Sequence, residues 1–559
     1  MKFYFEIDPK QKKKHNKILF CNNYFFSNYL NTPKYFFLLK RLKIVFLILL
    51  LAFLYIASCK ISKVQNLFYS FMQIPNVIIS LFKYFMPSIM SLKYSKEIAT
   101  SYFKTLIIAL SSTTFAAFFA LIFAIFASNL TKKYQIISFL VTAFASFCRA
   151  LPLPAWVILF LFSFGQNEFT GFFVLFIVTF GALTRIFKEL IDATSKNSFL
   201  ALKAIGAPYI SAIINGVIPN IKGQFVSWLL YSLSTNIRDS ALVGILTGSG
   251  LGFLFNLFFR SFRYDAAGLV VLILTLTVLC FDFFANKARD FIFNAREEDK
   301  ERNAKWIFLH LLILILIIIS IVSLFFIKGG DNGIIKEFNS LFTNIFVMFF
   351  SFNQPITFSF TTLFNSCFVS ISLAFLTTFL SSIISFFISI FNTKMVIKCK
   401  FITNIIEAIF SFIRAIPTII WVMLFSVCLG VGPVATIIGL SLHSIAYLVY
   451  AFSSSFNSVN KNTLDSLTSC GASRFVIFTG AILPSSIKSI VSWSFFRFEI
   501  NFMNVVALGS AAGAGGIGYE LFIAGSMEFD IKTVGIISYF LLFISLSLET
   551  ISNKIKKRL

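Results

Sequence analysis

Long apolar segments separated by short polar ones make up almost the whole chain. The stretch "WIFLHLLILILIIISIVSLFFI" at 306–327 is long enough to cross a hydrocarbon layer about 30 Å thick as one helix. Such segments form two sets of six, covering 42–58, 100–128, 134–162, 168–187, 222–256 and 266–286, then 305–327, 362–392, 398–428, 431–451, 487–525 and 531–551. The pattern predicts an all-α polytopic membrane protein with about 12 transmembrane helices.

Some segments depart from a simple span. The fifth segment of each set, 222–256 and 487–525, is long and interrupted by glycine, so each is predicted to be broken or bent. The stretch 67–88 is apolar but contains Gln73 and Pro75. Such residues favour a helix that lies at the membrane interface over one that crosses the bilayer.

Composition and charge agree with membrane insertion. The 559 residues are 58% hydrophobic and 13% charged, against roughly 25% charged residues in soluble domains. The net charge of +25 comes from lysines and arginines that gather in alternate loops, such as 131–133, and in both tails. Cytoplasmic loops carry this excess, so the N- and C-termini are predicted to be cytoplasmic. No soluble basic domain exists, which argues against nucleic acid as a partner.

An internal repeat joins the two sets of segments. A shift of 265 residues aligns Arg149 to Gly250 with the second set without a gap, and it superposes rare residues such as Trp156 on Trp421. The chain is therefore predicted to be two homologous six-helix halves in one polypeptide. The predicted divisions are a cytoplasmic segment 1–41, a first half 42–286, a charged linker 287–304, a second half 305–551 and a basic tail 552–559.

One polar loop occurs in both halves. The segments "GAPYISAIINGVIP" at 206–219 and "GASRFVIFTGAILP" at 471–484 share their Gly-to-Pro interval and fall on the predicted cytoplasmic side. Each is predicted to form two short helices around a glycine turn, with the proline starting the next membrane helix. A loop that only connects two helices would not need to keep the same Gly-to-Pro interval in both halves.

These loops resemble the EAA loop of bacterial ABC importer permeases of the type I-like fold. The sequence is similar to the phosphonate-type permeases in particular, at 414–425, 440–452, 493–518 and 262–274. The resemblance implies a place in the bacterial inner membrane. It also implies two copies of an ABC ATPase subunit, an extracytoplasmic solute-binding protein and a phosphonate-like anion as the partners of this chain. It also implies that the loops dock on the ATPases, through Gly206, Ala207, Pro219, Asp465, Gly471, Ala472 and Pro484. The family's acidic position is Asp465 in the second loop but Leu200 in the first.

The chain is not expected to be an enzyme. It contains no G-x-x-x-x-G-K-[ST] sequence, so ATP hydrolysis belongs to a separate subunit. A single G-x-G-x-x-G, 513–518, lies in a membrane segment without a preceding strand pattern, which argues against dinucleotide binding. The glycines Gly248, Gly250, Gly513 and Gly515 are predicted to form a gate or hinge in each half instead. The eight cysteines and three histidines show no metal-ligand spacing, and no cofactor is expected in this chain.

Polar and ionisable residues inside the membrane segments are candidate pathway residues, because burying them there is costly. The set consists of Asn236, Arg238, Arg497, Glu499 and Asn501 in the fifth segments, with Arg149 and Arg414 at predicted bends in the third. The family pattern resembles R-F-E-x-N-x-R, which the second half departs from at Met503. One asymmetric anion site built from Arg497 and Arg238 is one interpretation. Structural pairs, Arg497 with Glu499 or Arg238 with Asp239, are the other.

Two further questions stay open. His443 lies in the family-like "LHSIA", with Val178 at its counterpart position, and a buried, hydrogen-bonded histidine is the expected state.

The solute could also be another small molecule, such as a methionine-like or amine substrate. An ion-driven secondary transporter is the alternative from another class, and it would need neither the loops nor an ATPase.

Overall fold

The computed structural model describes residues 45, 49–64, 67–193, 196–293, 299–327, 334–351, 359–393, 400–513 and 515–558, and all regular structure in these ranges is helical. The predicted segment 1–41 and the centre of the predicted linker, 294–298, lie outside the described residues. The chain forms two compact units, Met1–Lys60 and Ile61–Leu559. Helix α1, Leu49–Ile61, belongs almost wholly to the first unit and falls in the first predicted segment.

The remaining helices follow the repeat closely. The first half contains α2 (Leu67–Met72), α3 (Ile74–Phe85), α4 (Ser95–Ala127), α5 (Gln135–Ala150), α6 (Leu153–Phe164), α7 (Glu168–Ala193), α8 (Lys196–Ala204), α9 (Tyr209–Gly216), α10 (Ile218–Thr247), α11 (Gly250–Arg260) and α12 (Tyr264–Phe293). The second half contains α13 (Asp299–Leu324), α14 (Ile334–Phe350), α15 (Phe360–Phe391), α16 (Lys400–Ala415), α17 (Thr418–Leu429), α18 (Pro433–Asn457), α19 (Lys461–Ser469), α20 (Arg474–Ile477), α21 (Leu483–Ala512), α22 (Ile517–Phe522) and α23 (Ile531–Arg558).

Seven described helices are long and apolar enough to cross a membrane, and ten candidates result if each bent pair counts as one span. The described apolar parts of α1 and α13 lie in the two remaining predicted segments. Helix α3 has 12 residues and is about 18 Å long, too short to cross the bilayer. The all-α polytopic fold is confirmed. Helices α12 and α13 also extend into the segment predicted as a linker, and α23 continues through the predicted basic tail.

The third segment of each half is a bent pair of helices. Helices α5 and α6 meet at 94°, and α16 and α17 meet at 88°. The cause is local, because Pro152 and Pro417 follow the first helix of each pair. A residue before proline avoids the helical region, and Leu151 is accordingly extended, with φ −78° and ψ 126°. The bends therefore follow directly from the repeated "RA-x-P" sequence.

Each half has its core where its two long helices pack together. Helix α4 packs along α7 in the first half, and α15 packs along α18 in the second. Ala116, Ala120 and Ala124 form a buried small-residue stripe on α4. Small residues let membrane helices approach closely and replace the hydrophobic driving force that is absent in lipid. Helix α10 or α21 completes the core of its half.

The two halves contact each other through corresponding elements. Helix α14 packs on α6 of the first half, and α3 packs on α17 of the second. The last helix of each half also contacts the bent pair of the other half, α12 against α16 and α23 against α5. These contacts bring the arginines at the bends, Arg149 and Arg414, to the interface between the halves.

Candidate coupling loops and substrate pathway

The two predicted coupling loops begin with the same glycine turn. In the first, Ala207 N–H donates to the Leu202 carbonyl and Gly206 N–H to the Lys203 carbonyl, both at 3.1 Å. In the second, Ala472 and Gly471 make the equivalent bonds to Leu467 and Thr468. This Schellman pairing ends a helix with a residue of positive φ. Gly206 and Gly471 have φ of 79° and 75°, which explains glycine at both positions.

The prolines and the following helices also correspond. Pro219 and Pro484 are the second residues of α10 and α21, and proline is tolerated in the first turn of a helix. Tyr209 at the start of α9 donates its hydroxyl hydrogen to the Thr131 carbonyl and so ties the first loop to the end of α4. Burial raises the pKa of Tyr209, which keeps the phenol protonated as a donor.

The exposed surfaces of the two loops differ. The first exposes the aliphatic side chains of Leu200, Ile205, Ile210 and Ile214. The corresponding residues of the second loop are Asp465, Cys470, Phe475 and Thr479. Asp465 is exposed. The loops thus share the glycine turn and the position of the proline. They differ in the π-helical segment Phe478–Ile482 of the second loop and in their exposed side chains.

The predicted hinge glycines lie at breaks between two helices. Gly248 has φ 73° and ends α10, and α11 then departs at 57°. Gly513 ends α21 in the same way, with φ 61°. In each half a hydroxyl from another helix accepts a hydrogen bond at the start of the helix that follows the break. Thr105 Oγ1 of α4 accepts from Leu251 N–H of α11 at 2.8 Å, and Ser370 Oγ of α15 accepts from Ile517 N–H of α22 at 3.0 Å. Gly250 and Gly515 also have positive φ.

The two predicted asparagines occupy equivalent buried networks. Asn236 Nδ2 donates to Thr113 Oγ1 at 2.8 Å and also bonds Thr179 Oγ1 at 2.9 Å. In the second half, Asn501 Nδ2 donates to Thr378 Oγ1 at 2.9 Å and Asn501 Oδ1 accepts from Ser444 Oγ at 2.9 Å. Each amide therefore connects three helices at their closest approach. Both side chains have their hydrogen bonds made within the protein.

Arg238 contacts the last helix of its own half. Its Nη1 lies 3.5 Å from Asp282 Oδ2 and donates to Ser234 Oγ at 3.1 Å. Ser234 in turn donates to Asp282 Oδ1. The pairing with Asp239 that the sequence allowed is not the one that forms. The reason is that neighbouring residues of a helix point in different directions.

Arg497 is held by neutral groups. Its side chain is 2% exposed, its Nε donates to Ser444 Oγ at 3.0 Å, and its Nη2 donates to His443 Nδ1 at 2.9 Å. The guanidinium also lies over the Tyr447 ring, 5.3 Å from its centre. No carboxylate forms an ion pair with Arg497 among the described residues, so the alternative pairing with Glu499 is not seen. Glu499 instead lies near Arg149.

Arg149 belongs to an ion-pair network across the interface between the halves. It pairs with Glu549 of α23, and its Nη1 lies 3.9 Å from Glu499 Oε1. Arg185 Nη1 also contacts Glu549, at 2.6 Å, and its Nε contacts Glu189 at 3.0 Å. The positive charges of the two arginines are thus neutralised by the three carboxylates of the same cluster.

Arg414, the counterpart of Arg149, is in a different setting. Its Nη2 donates to Ser411 Oγ at 3.3 Å, and its guanidinium lies 5.6 Å from the centre of the Tyr450 ring. Tyr450 stands where the first half has Arg185. Arg414 forms no ion pair within the part of the chain that the structure describes. It acts electrostatically on His443, as Arg238 and Arg497 also do.

Asp282, Glu549 and Arg185 were not among the predicted residues, although Asp282 and Glu549 contact predicted arginines and Arg185 contacts Glu549. The signal was present, because each is an ionisable residue within an apolar segment. Asp282 and Glu549 also occupy comparable places on α12 and α23. In each of these helices a glycine, Gly268 or Gly535, packs against backbone of α3 or α14.

A family model described as binding-protein-dependent transport system inner membrane component matches residues 118–329 and 396–559. The phosphate-import permease protein PhnE of Mycolicibacterium smegmatis (strain ATCC 700084 / mc(2)155) is 24% identical over 469 residues, which is 82% of this chain and 84% of that protein. The phosphite transport system permease protein PtxC of Stutzerimonas stutzeri is 24% identical over 185 residues, 33% of this chain and 67% of that protein. The chain belongs to the family of binding-protein-dependent transport system inner membrane components, the non-enzymatic permeases of ABC importers, and it carries the family's domain twice.

Proposed function

We propose that this chain forms the whole translocation path of an ATP-driven importer for phosphonate or a related phosphorus oxyanion. Two copies of an ATPase would dock on the cytoplasmic loops, and an extracytoplasmic binding protein would deliver the solute. Both termini would face the cytoplasm. The relatives named for phosphate import and phosphite transport support the substrate class. The single observation that carries the proposal is Arg497, a buried cation without an acidic partner among the described residues.

The chemistry of Arg497 suits a phosphorus oxyanion. A buried unpaired charge is costly, so a site that retains one needs a compensating ligand or function. A phosphonate is a compact dianion near neutral pH, and guanidinium groups bind such oxygens through charge-assisted hydrogen bonds. Arg238 approaches from the other half and Arg414 from the bend of α16. The anion would therefore be met by arginines from both halves.

We assign a different task to Asn236 and Asn501. Each asparagine is buried and bonded within its own half, in the same way in both halves. Satisfied buried amides hold helices in register. We propose that they position the arginine-bearing helices and do not contact the solute. The pathway role then falls to the arginines.

The coupling mechanism follows from the loop geometry. Each loop leads into a long helix, α10 or α21, that carries the asparagine and arginine and ends at the glycine break. Movement of a loop by an ATPase would shift this helix as a unit, and the breaks at Gly248 and Gly513 would absorb the change. Such a movement would open one face of the arginine site while it closes the other.

Transport into proteoliposomes tests the proposal. The full complex of permease, ATPase and binding protein would be supplied with ATP and with labelled phosphate, phosphite or methylphosphonate. We expect ATP-dependent uptake of at least one of these anions. Uptake of a cationic or neutral solute instead would contradict the substrate class, and uptake driven by an ion gradient without the ATPase would contradict the mechanism.

A further inference from the structure

His443 has a defined proton arrangement. Arginine can only donate hydrogen bonds, so His443 Nδ1, 2.9 Å from Arg497 Nη2, must be an acceptor. An imidazole that accepts at Nδ1 is neutral and carries its hydrogen on Nε2. That Nε2–H is a donor with no hydrogen-bond partner among the described residues, and the ring is only partly buried. The side chain therefore has one donor still to satisfy.

The orientation of the ring is fixed by the network beside it. The next residue, Ser444, accepts from Arg497 Nε at 3.0 Å and donates to Asn501 Oδ1 at 2.9 Å. Tyr447, one turn further along α18, covers the Arg497 guanidinium. Helices α15, α18 and α21 are held together at this point. The Nε2–H group is thus presented by a rigid support.

The surroundings of His443 select an anion. Arg238, Arg414 and Arg497 all act electrostatically on the ring. Their acidic neighbours are Asp282, which pairs with Arg238, Asp239, which follows Arg238 in the chain and interacts with it electrostatically, and Glu499, which lies toward Arg149. Arg238 shares its donors with Asp282, whereas Arg414, Arg497 and the Nε2–H group meet no carboxylate among the described residues. A ligand with several charged oxygens satisfies all of them together.

The first half cannot form this arrangement. Val178 stands where the second half has His443, and Ser232 stands where it has Arg497. We infer that His443 is a substrate-contacting residue that donates from Nε2 to an oxygen of the phosphorus oxyanion. The inference rests on the proposed substrate class and adds one residue to the site. It assigns a single such site to the two halves together.

Two substitutions separate this role from a structural one. His443→Val installs the residue of the first half and removes both ring nitrogens. His443→Gln keeps an acceptor for Arg497 and an N–H donor at a comparable distance along the side chain. The matched control is Val178→His, which places an imidazole where no arginine corresponds to Arg497. Binding-protein-stimulated ATP hydrolysis and the elution profile of the complex report whether each variant is assembled.

ATP-dependent uptake of methylphosphonate or phosphate is then measured in proteoliposomes. We expect His443→Val to lower the ratio of maximal rate to KM about tenfold or more, because a hydrogen bond to a charged group is lost. His443→Gln should stay within about threefold of the wild type, and Val178→His should leave uptake unchanged. Wild-type uptake by an assembled His443→Val complex would overturn the inference, as would equal losses in the Val and Gln variants. Absence of phosphorus-oxyanion uptake by the wild type would instead refute the proposed function.

Discussion

Arg149 and Arg414, the two arginines at the helix bends, lie in two regions that have the same backbone arrangement but different charged neighbours. Both end the first helix of a bent pair, and both helices contact the last helix of the other half. Arg149 meets Glu549 and Glu499, whereas Arg414 meets a serine hydroxyl and an aromatic ring. Duplication preserved the frame, and side-chain changes gave the two interfaces different electrostatics.

The two regions are therefore suited to different functions. On the first side, carboxylates neutralise the arginines, so that region is suited to holding the two halves together. On the second side, Arg414 and Arg497 have hydroxyl, imidazole and aromatic neighbours, so their charge remains available to a ligand. We propose that one region stabilises the interface while the other contacts the solute. The four predictions below test this comparison.

The largest effect is expected on stability at the Arg149 side. Arg149→Met removes the ion-pair partner of Glu499 and one of the two arginines at Glu549. Breaking a fully buried pair costs about 3–5 kcal/mol, and this value is the upper limit for side chains that are 14–22% exposed. The thermal unfolding midpoint of the purified complex should fall markedly. Arg414→Met is the matched control and should lower the midpoint far less, because no carboxylate loses a partner. Equal shifts for the two variants would remove the stated difference between the regions.

The next effect is expected on transport at the Arg497 side. Arg497→Lys keeps the charge but loses the planar fork that contacts Ser444 and His443 together. Uptake should fall at least about tenfold, since a charge-assisted contact is worth about 1.5–3 kcal/mol. Ser232→Ala, at the corresponding place in the first half, should leave uptake near the wild-type rate. A Lys variant with full uptake would speak against an anion site at Arg497.

The asparagine networks should respond alike in both halves. Asn236→Ala and Asn501→Ala each take away the acceptor of one hydroxyl hydrogen, that of Thr179 or Ser444, and an unsatisfied buried donor costs about 1–3 kcal/mol. The two thermal midpoints should shift by similar amounts. KM for the solute should change little in either variant. A rise in KM for only one of the two variants would indicate that its asparagine contacts the solute.

The smallest effect is expected at the coupling loops. Asp465→Leu makes the second loop resemble the first, and exposed charges contribute about 0.2–1 kcal/mol. ATP-driven uptake should fall by no more than about fivefold, and Leu200→Asp should change it by a similar or smaller factor. Complete loss of uptake in Asp465→Leu, with the complex still assembled, would show that the second loop dominates coupling.

The local features of the fold were predictable because they depend on nearby residues. Apolar length predicted the membrane helices, glycine and proline predicted the loop turns, and "RA-x-P" predicted the bends at Pro152 and Pro417. The repeat register also placed equivalent residues together, and the structure repeats their contacts. Trp156 and Trp421, for example, each donate to a carbonyl of the preceding helix, at 3.1 and 3.0 Å.

The partners of the arginines were not predictable in this way. The sequence suggested pairs of close neighbours, Arg238 with Asp239 and Arg497 with Glu499. Side chains one or two positions apart on a helix do not face each other, and the observed partners come from distant helices, as Asp282 and Glu549 do. The sequence by itself determined a bundle of membrane helices in two homologous halves, each with a loop that turns at a glycine, because hydropathy and turn chemistry act locally. Only the tertiary structure decided which arginines are neutralised and which stay available, because ion pairing depends on distances between helices far apart in the chain.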